Sequence, residues 1–206
     1  MRPALHLLAS ALVAAACSST PRPAASPSPA ASPAASPART VVVLVRHAEK
    51  MPATDADPAL SEAGSARATA LAGLPELAGA RAAYVTQYRR TALTAAPLAS
   101  RRGFTPTVRP IAGDVAAYAA ALAAELRARP AGDTVLVVGH SNTVLPIVAA
   151  LGGPRLPNID DAEYARLFVV TLDAGGGATL REARYGAPSA AAAPGSVPAM
   201  TGARPR

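Results

Sequence analysis

Several residue types are nearly missing from this chain of 206 residues. It has no tryptophan, and aromatic residues make up only 3%. The basic residues are scattered and the aromatics few, so there is no stacking platform for nucleic acid. Cysteine occurs once, as Cys17, so no intramolecular disulfide can form. Lysine also occurs once, as Lys50, and arginine supplies the other 19 of the 20 basic residues. Histidine occurs three times, as His6, His47 and His140. So few cysteines and histidines cannot make the usual zinc ligand set, and neither a metal nor another cofactor is expected.

What is present begins with a formal charge of +7. Arg2, Arg22 and Arg39 add to the excess in a stretch without acids. Attraction to anionic small molecules or to a membrane surface is the economical reading. Met1–Ala16 has a basic start, an apolar run from Ala4 and the small residues Ala14, Ala15 and Ala16 before Cys17. That is the layout of a secretory signal. The run is shorter than the roughly 20 residues a membrane-spanning helix needs. Residues 18–39 are rich in Pro, Ala and Ser and read as a semi-stiff tether. Residues 186–206 form a similar Ala/Pro/Gly-rich tail, expected to be disordered. One domain with a real core remains, at 40–185.

Within it, strand and helix patterns alternate. Val41–Arg46 reads as a buried strand, and Ser61 as the N-cap of a helix that runs to about Gly73. A short strand at Ala82–Thr86 precedes a helix at Tyr88–Ser100, with a break or kink expected near Pro97. Thr107–Arg109 fits a short strand, and Asp114 caps a helix that Pro130 closes. Thr134–Val138 is a second buried strand, followed by a helix over Asn142–Leu151. Arg166–Asp173 and Ala178–Tyr185 form a terminal hairpin around Gly175-Gly176-Gly177. The alternation predicts an α/β sandwich of three layers with a mainly parallel central sheet. Ligands bind beyond the carboxyl ends of such strands.

Both histidines of the domain fall at such ends. His47 follows Val41–Arg46, and His140 follows Val135–Gly139. Arg90 follows a third strand, beside a helix N-terminus that itself attracts anions. Arg46, Arg90, His47 and His140 would form a compact cationic pocket. The arginine fork suits phosphate oxygens, and neutral imidazole is a competent nucleophile near its ordinary pKa of about 6.5. Gly139-His140-Ser141-Asn142-Thr143 superficially suggests the serine elbow of an α/β-hydrolase. That motif needs glycine at Thr143 and a histidine later in the chain, and none follows His140.

These segments resemble the histidine phosphatase superfamily, the phosphoglycerate-mutase-like fold, in its small phosphatase branch. Val45-Arg46-His47-Ala48-Glu49 is similar to the family's Arg-His-Gly signature, with Ala48 in place of glycine. Thr86–Ala95 resembles the block that supplies a second phosphate-binding arginine, and its Thr94-Ala95 end selects Arg90 over Arg89. Val137–Ser141 resembles the block with the second histidine. Asp57–Gly64 with Arg67-Ala68 also matches. The resemblance implies that His47 carries a transient phosphohistidine while Arg46, Arg90 and His140 hold the phosphate, with Ser141 a further donor or simply a helix cap. Glu49 and Asp114 are the candidates for a general acid, although Glu49 can equally pair with an arginine and Asp114 cap a helix. A non-catalytic phosphate-binding lipoprotein is the alternative, and a phosphomutase a more distant one. Expected substrates are a phosphorylated small molecule, an envelope glycan or lipid headgroup, or a phosphoprotein. Cys17 resembles the lipidated cysteine of bacterial lipoproteins, with Ala14 where Leu or Val is more usual. This implies export and a lipid anchor on the periplasmic face of a membrane, the alternative being a soluble periplasmic or secreted protein. Oligomeric state is not legible.

Overall fold

The computed structural model describes residues 39–52 and 55–189. The expected secretory leader, Cys17, the expected tether up to residue 38 and the tail from residue 190 lie outside the described residues. Strand β1 (Thr40–Arg46) shows why the domain has three layers. Val42, Val43, Leu44 and Val45 are all fully buried, so the strand is covered on both faces. Val42 and Leu44 face one apolar cluster, Val43 and Val45 the other. Each such side chain contributes about 2 kcal/mol by leaving water.

The first cluster lies under helices α3 (Val115–Arg127) and α4 (Val144–Ala150), which bring Leu122, Leu126, Ile147 and Val148. The second lies under α1 (Glu62–Ala72) and α2 (Arg89–Arg102), which bring Leu71, Ala95 and Leu98. Between them runs a six-stranded sheet of order β3-β2-β4-β1-β5-β6. Strands β2 (Ala80–Val85), β3 (Thr107–Val108), β4 (Thr134–Gly139) and β1 are mutually parallel. The hairpin of β5 (Arg166–Leu172) and β6 (Ala178–Arg184) adds two antiparallel strands beside β1. The three-layer α/β arrangement with a mainly parallel sheet is the one the alternation predicts.

Two local expectations need correction. Helix α2 is not interrupted at Pro97 and runs on past Ser100 to Arg102. Pro97 is half-buried and Leu93, four residues earlier, is exposed. The carbonyl that loses its partner therefore faces outward, where water can satisfy it. At the other end the domain does not finish at Tyr185. The Ala187 carbonyl accepts from Arg67, and Ser189 Oγ accepts from the backbone N–H groups of Tyr164 and Ala165 at 2.7 and 2.9 Å. Gly186, at φ +66°, makes the turn that lets this segment fold back.

One close approach fixes the loop after β1. The Ser61 N–H donates to the Glu49 carbonyl at 2.9 Å, and Ser61 Oγ caps α1 by accepting from Gly64 N–H. Gly64 is thereby pressed against the Glu49 backbone. A Cβ on Gly64 would collide with the Glu49 carbonyl oxygen and sit 2.9 Å from its carbonyl carbon. Gly64→Ala is expected to cost about 2 kcal/mol or more. Urea unfolding should show it as a lowered midpoint with an unchanged slope.

Candidate active site

Parallel pairing of β1 with β4 sets Arg46 opposite Gly139. The next residues, His47 and His140, are therefore neighbours despite lying 93 positions apart, with ring centroids 5.3 Å apart. The His47 N–H donates to the Gly139 carbonyl at 2.9 Å, which extends the ladder to the edge of the site. Gly139 has no side chain to obstruct Thr143, whose Oγ1 accepts from His140 N–H at 2.8 Å. Both imidazoles are buried, at 3% and 8% exposure.

Hydrogen bonds settle which nitrogen of each ring is protonated. His47 Nδ1 lies 2.8 Å from the Ala48 carbonyl, which can only accept. Nδ1 therefore carries the proton, and the lone pair is on Nε2. His140 Nδ1 lies 3.4 Å from Arg90 Nη2, which can only donate. Its Nε2 therefore carries the proton and donates to Thr86 Oγ1 at 3.0 Å. Thr86 Oγ1 is 3.1 Å from Thr91 Oγ1, which in turn donates to the Tyr88 carbonyl at 2.8 Å. Thr86 and Thr91 are almost wholly buried, so this chain of hydroxyls holds the ring without competition from water.

Two arginines complete the pocket. Arg46 donates through Nη1 to the carbonyls of Asp160 and Asp161 at 2.8 and 2.9 Å, and its guanidinium lies 4.3 Å from the Tyr164 ring centre. Arg90 lies 4.3 Å from the Tyr88 ring centre, and Tyr88 packs edge-on against His140. The Nε atoms of both arginines are buried without a hydrogen-bond partner. Each of these N–H groups is a donor held out of water, a costly arrangement that an anion would relieve. Asp57 accepts from the Arg89 N–H at 2.9 Å and so caps α2, and it also lies 3.5 Å from Arg90. The expected anion position at that helix N-terminus is thus filled by a side chain of the protein. Arg89 itself points outward toward Asp55.

The cleft over these residues has a volume of about 530 Å³. Arg46, His47, Arg90, His140 and Ser141 lie on its walls, as do Tyr88, Gln87, Asn142, Ile111, Lys50 and Asp161. Glu49 and Asp114 do not. Two hydrogen bonds to Arg67, at 2.7 and 2.9 Å, tie up Glu49 Oε1. Partial burial pushes its carboxyl upward, but the hydrogen bonds and charge of Arg67 outweigh that and hold it below the ordinary carboxylate range. A carboxylate clamped in this way has no proton to give at neutral pH. Asp114 caps α3, accepting from the Ala117 N–H at 3.0 Å. Neither expected general acid is placed to donate. The carboxylate on the wall is Asp161, 3.5 Å from both Arg46 and Ser141. It ends the loop Gly152–Asp161, which the sequence offers as a specificity loop without marking this residue within it. Among the described residues, no cluster of three or more His, Cys, Asp and Glu could hold a metal ion.

Burial pushes the His47 imidazole down to about 3, with the charges of Arg46, His140 and Arg90 adding to the effect against the pull of the Ala48 carbonyl. Burial also takes His140 to about 4, helped by Arg90 and Arg46 and opposed by Asp57. Both rings are thus neutral at pH 7 in the folded protein. In the unfolded chain each protonates near pH 6.5, so below that pH the unfolded state binds more protons. Stability is fully present above pH 6.5 and falls as the pH drops toward 4. Between pH 7 and pH 5 the loss is expected to be about 1–2 kcal/mol per histidine. A His140→Gln variant should show a flatter profile in urea unfolding across that range.

Comparisons with known proteins agree with this architecture. The description "Histidine phosphatase superfamily (branch 1)" belongs to the family model that residues 42–112 match. No curated protein sequence matches the chain. Mycobacterial glucosyl-3-phosphoglycerate phosphatase has a similar structure, with a TM-score of 0.56 at 20% identity, covering 71% of this chain and 98% of that one. The same mycobacterial phosphatase in complex with inorganic phosphate gives a TM-score of 0.53 at 21% identity, covering 72% and 97%. The protein histidine phosphatase SixA complexed with tungstate gives 0.50 at 23% identity, covering 70% and 96%. The domain therefore has the phosphoglycerate-mutase-like fold of histidine phosphatases, and its segment bearing Arg46, His47 and Arg90 matches branch 1 of that superfamily.

Proposed function

We propose that this protein is a phosphomonoester hydrolase that works through a phosphohistidine on His47. The observation that carries the proposal is the state of His47. It is buried and neutral, with Nδ1–H fixed on the Ala48 carbonyl, so the Nε2 lone pair is left beside two arginines with unpartnered donors. In the first step that lone pair attacks phosphorus and the bond to the ester oxygen breaks. Arg46 and Arg90 offset the charge on the non-bridging oxygens, and the dianion favours protonation of His140, which then donates from Nδ1. The leaving oxygen takes up a proton from water in the cleft. In the second step water attacks phosphorus, the P–N bond breaks and its electron pair returns to Nε2. Phosphate leaves with the oxygen from water.

The intact set of Arg46, His47, Arg90 and His140 favours this reading over a non-catalytic phosphate-binding protein or a phosphomutase. The neighbours named above include one phosphatase of a small phosphorylated sugar acid and one of phosphohistidine in proteins. A phosphorylated small molecule suits the cleft, with its volume of about 530 Å³. The leader, tether and Cys17 support export and a lipid anchor that leaves the domain at the periplasmic face of a membrane, where a multiply acylated cysteine would hold it stably. Cys17→Ala is then expected to move the protein from the membrane to the soluble fraction. Unchanged membrane association would contradict the anchor.

For catalysis, the test is hydrolysis of p-nitrophenyl phosphate by the full chain. His47→Ala is expected to lower kcat/KM by about 10³-fold or more. A variant as active as the wild type would remove His47 from the mechanism.

A further inference from the structure

The cleft holds three cations of different standing. Arg46 lies 3.5 Å from Asp161 and Arg90 3.5 Å from Asp57. Lys50 also lines the cleft, but it forms no ion pair among the described residues. The chain uses lysine only here, where everywhere else it uses arginine. An ammonium is a compact, mobile point charge, whereas the arginine fork suits phosphate geometry.

Position separates Lys50 from the transferring phosphate. His47 and Ala48 are buried, Glu49 is half-buried and Lys50 is exposed. The chain thus climbs from the floor of the cleft to its mouth within three residues, at most about 10 Å of extended backbone. The climb has a fixed frame. Lys50 pairs with Leu60 as an isolated antiparallel bridge, and the Met51 N–H donates to the Ala59 carbonyl at 2.9 Å. Lys50 therefore sits on a held segment of the cleft wall, at an exposed position beyond buried His47. Asp161 faces the same cleft, but Arg46 and Ser141 engage it.

We infer that Lys50 forms a second anion subsite, so that the preferred substrate is a phosphomonoester with another negative group, such as a carboxylate, on its leaving side. The inference rests on the phosphohydrolase reading for its first subsite and names the substrate class. Phosphate would sit on the floor against Arg46 and Arg90, with the second anion at the mouth against Lys50. A partly exposed charge pair of this kind gives a preference of about five-fold, which salt should weaken.

Binding of two non-hydrolysable probes to the full chain tests this. Methylphosphonate carries the phosphonate alone, and phosphonoacetate adds one carboxylate. Calorimetry is expected to show phosphonoacetate binding about five-fold more tightly. Lys50→Met should abolish the preference, and Lys50→Arg should restore most of it. Three results would overturn the inference: no preference in the wild type, a preference that survives Lys50→Met, or equal weakening of both probes, which would assign Lys50 to the transferring phosphate. Failure to bind either probe would overturn it as well. Hydrolysis of p-nitrophenyl phosphate separates the two readings. Turnover without a carboxylate preference rejects the second subsite alone, and a preference without turnover rejects the hydrolase alone.

Discussion

The site depends on one strand pairing. Register between β1 and β4 sets Arg46 against Gly139 and leaves His47 and His140 side by side where the two strands end. A slip of one residue would turn every side chain of β1 to the opposite face. Val42 to Val45 are buried on alternate sides against two different clusters, so such a slip would exchange the residues packed in both. The core thus does more than stabilise the sheet. It fixes the relative height of two histidines from distant parts of the chain, and the proposed chemistry needs that height.

Burial then decides what those histidines are. Both rings are buried and the charges nearest them are chiefly positive, so protonation is disfavoured on both. Neutral imidazole still has two possible tautomers, and local partners choose between them. The Ala48 carbonyl fixes His47 with its proton on Nδ1 and its lone pair on Nε2, and Thr86 with Thr91 fixes His140 in the opposite tautomer, protonated on Nε2. The adjoining loop is held by a clamp remote from the cleft. Arg67 binds Glu49 on one side and the Tyr185 and Ala187 carbonyls on the other. The loop after His47, helix α1 and the end of the domain are thereby tied together around one buried guanidinium.

Much of this was legible in the residues. The valine-rich runs ending in Arg46-His47 and Gly139-His140 gave the strands, their ends and the reason for a shared crevice. Helix α1 was readable from Ser61, whose hydroxyl caps it. Less visible were contacts that depend on three-dimensional neighbours. Thr86 and Thr91 read as ordinary strand and helix residues until His140 is placed beside them. Glu49 reads as a candidate acid until Arg67, 18 residues on, is seen to clamp it. Asp161 sits in a loop without periodicity, so no pattern could direct it toward Arg46. Pro97 misled for a simpler reason: its missing hydrogen bond falls on the solvent side of α2, where the cost is small.

The central claim is that the Nε2 lone pair of His47 takes the phosphoryl group. Its most direct test is rapid quenching of the full chain during turnover of p-nitrophenyl phosphate, followed by mass spectrometry and ³¹P NMR under alkaline conditions that preserve phosphoramidates. The account predicts an acid-labile phosphate on His47, bonded to Nε2. Phosphate bonded to Nδ1 of His47, or to any other residue, would contradict it.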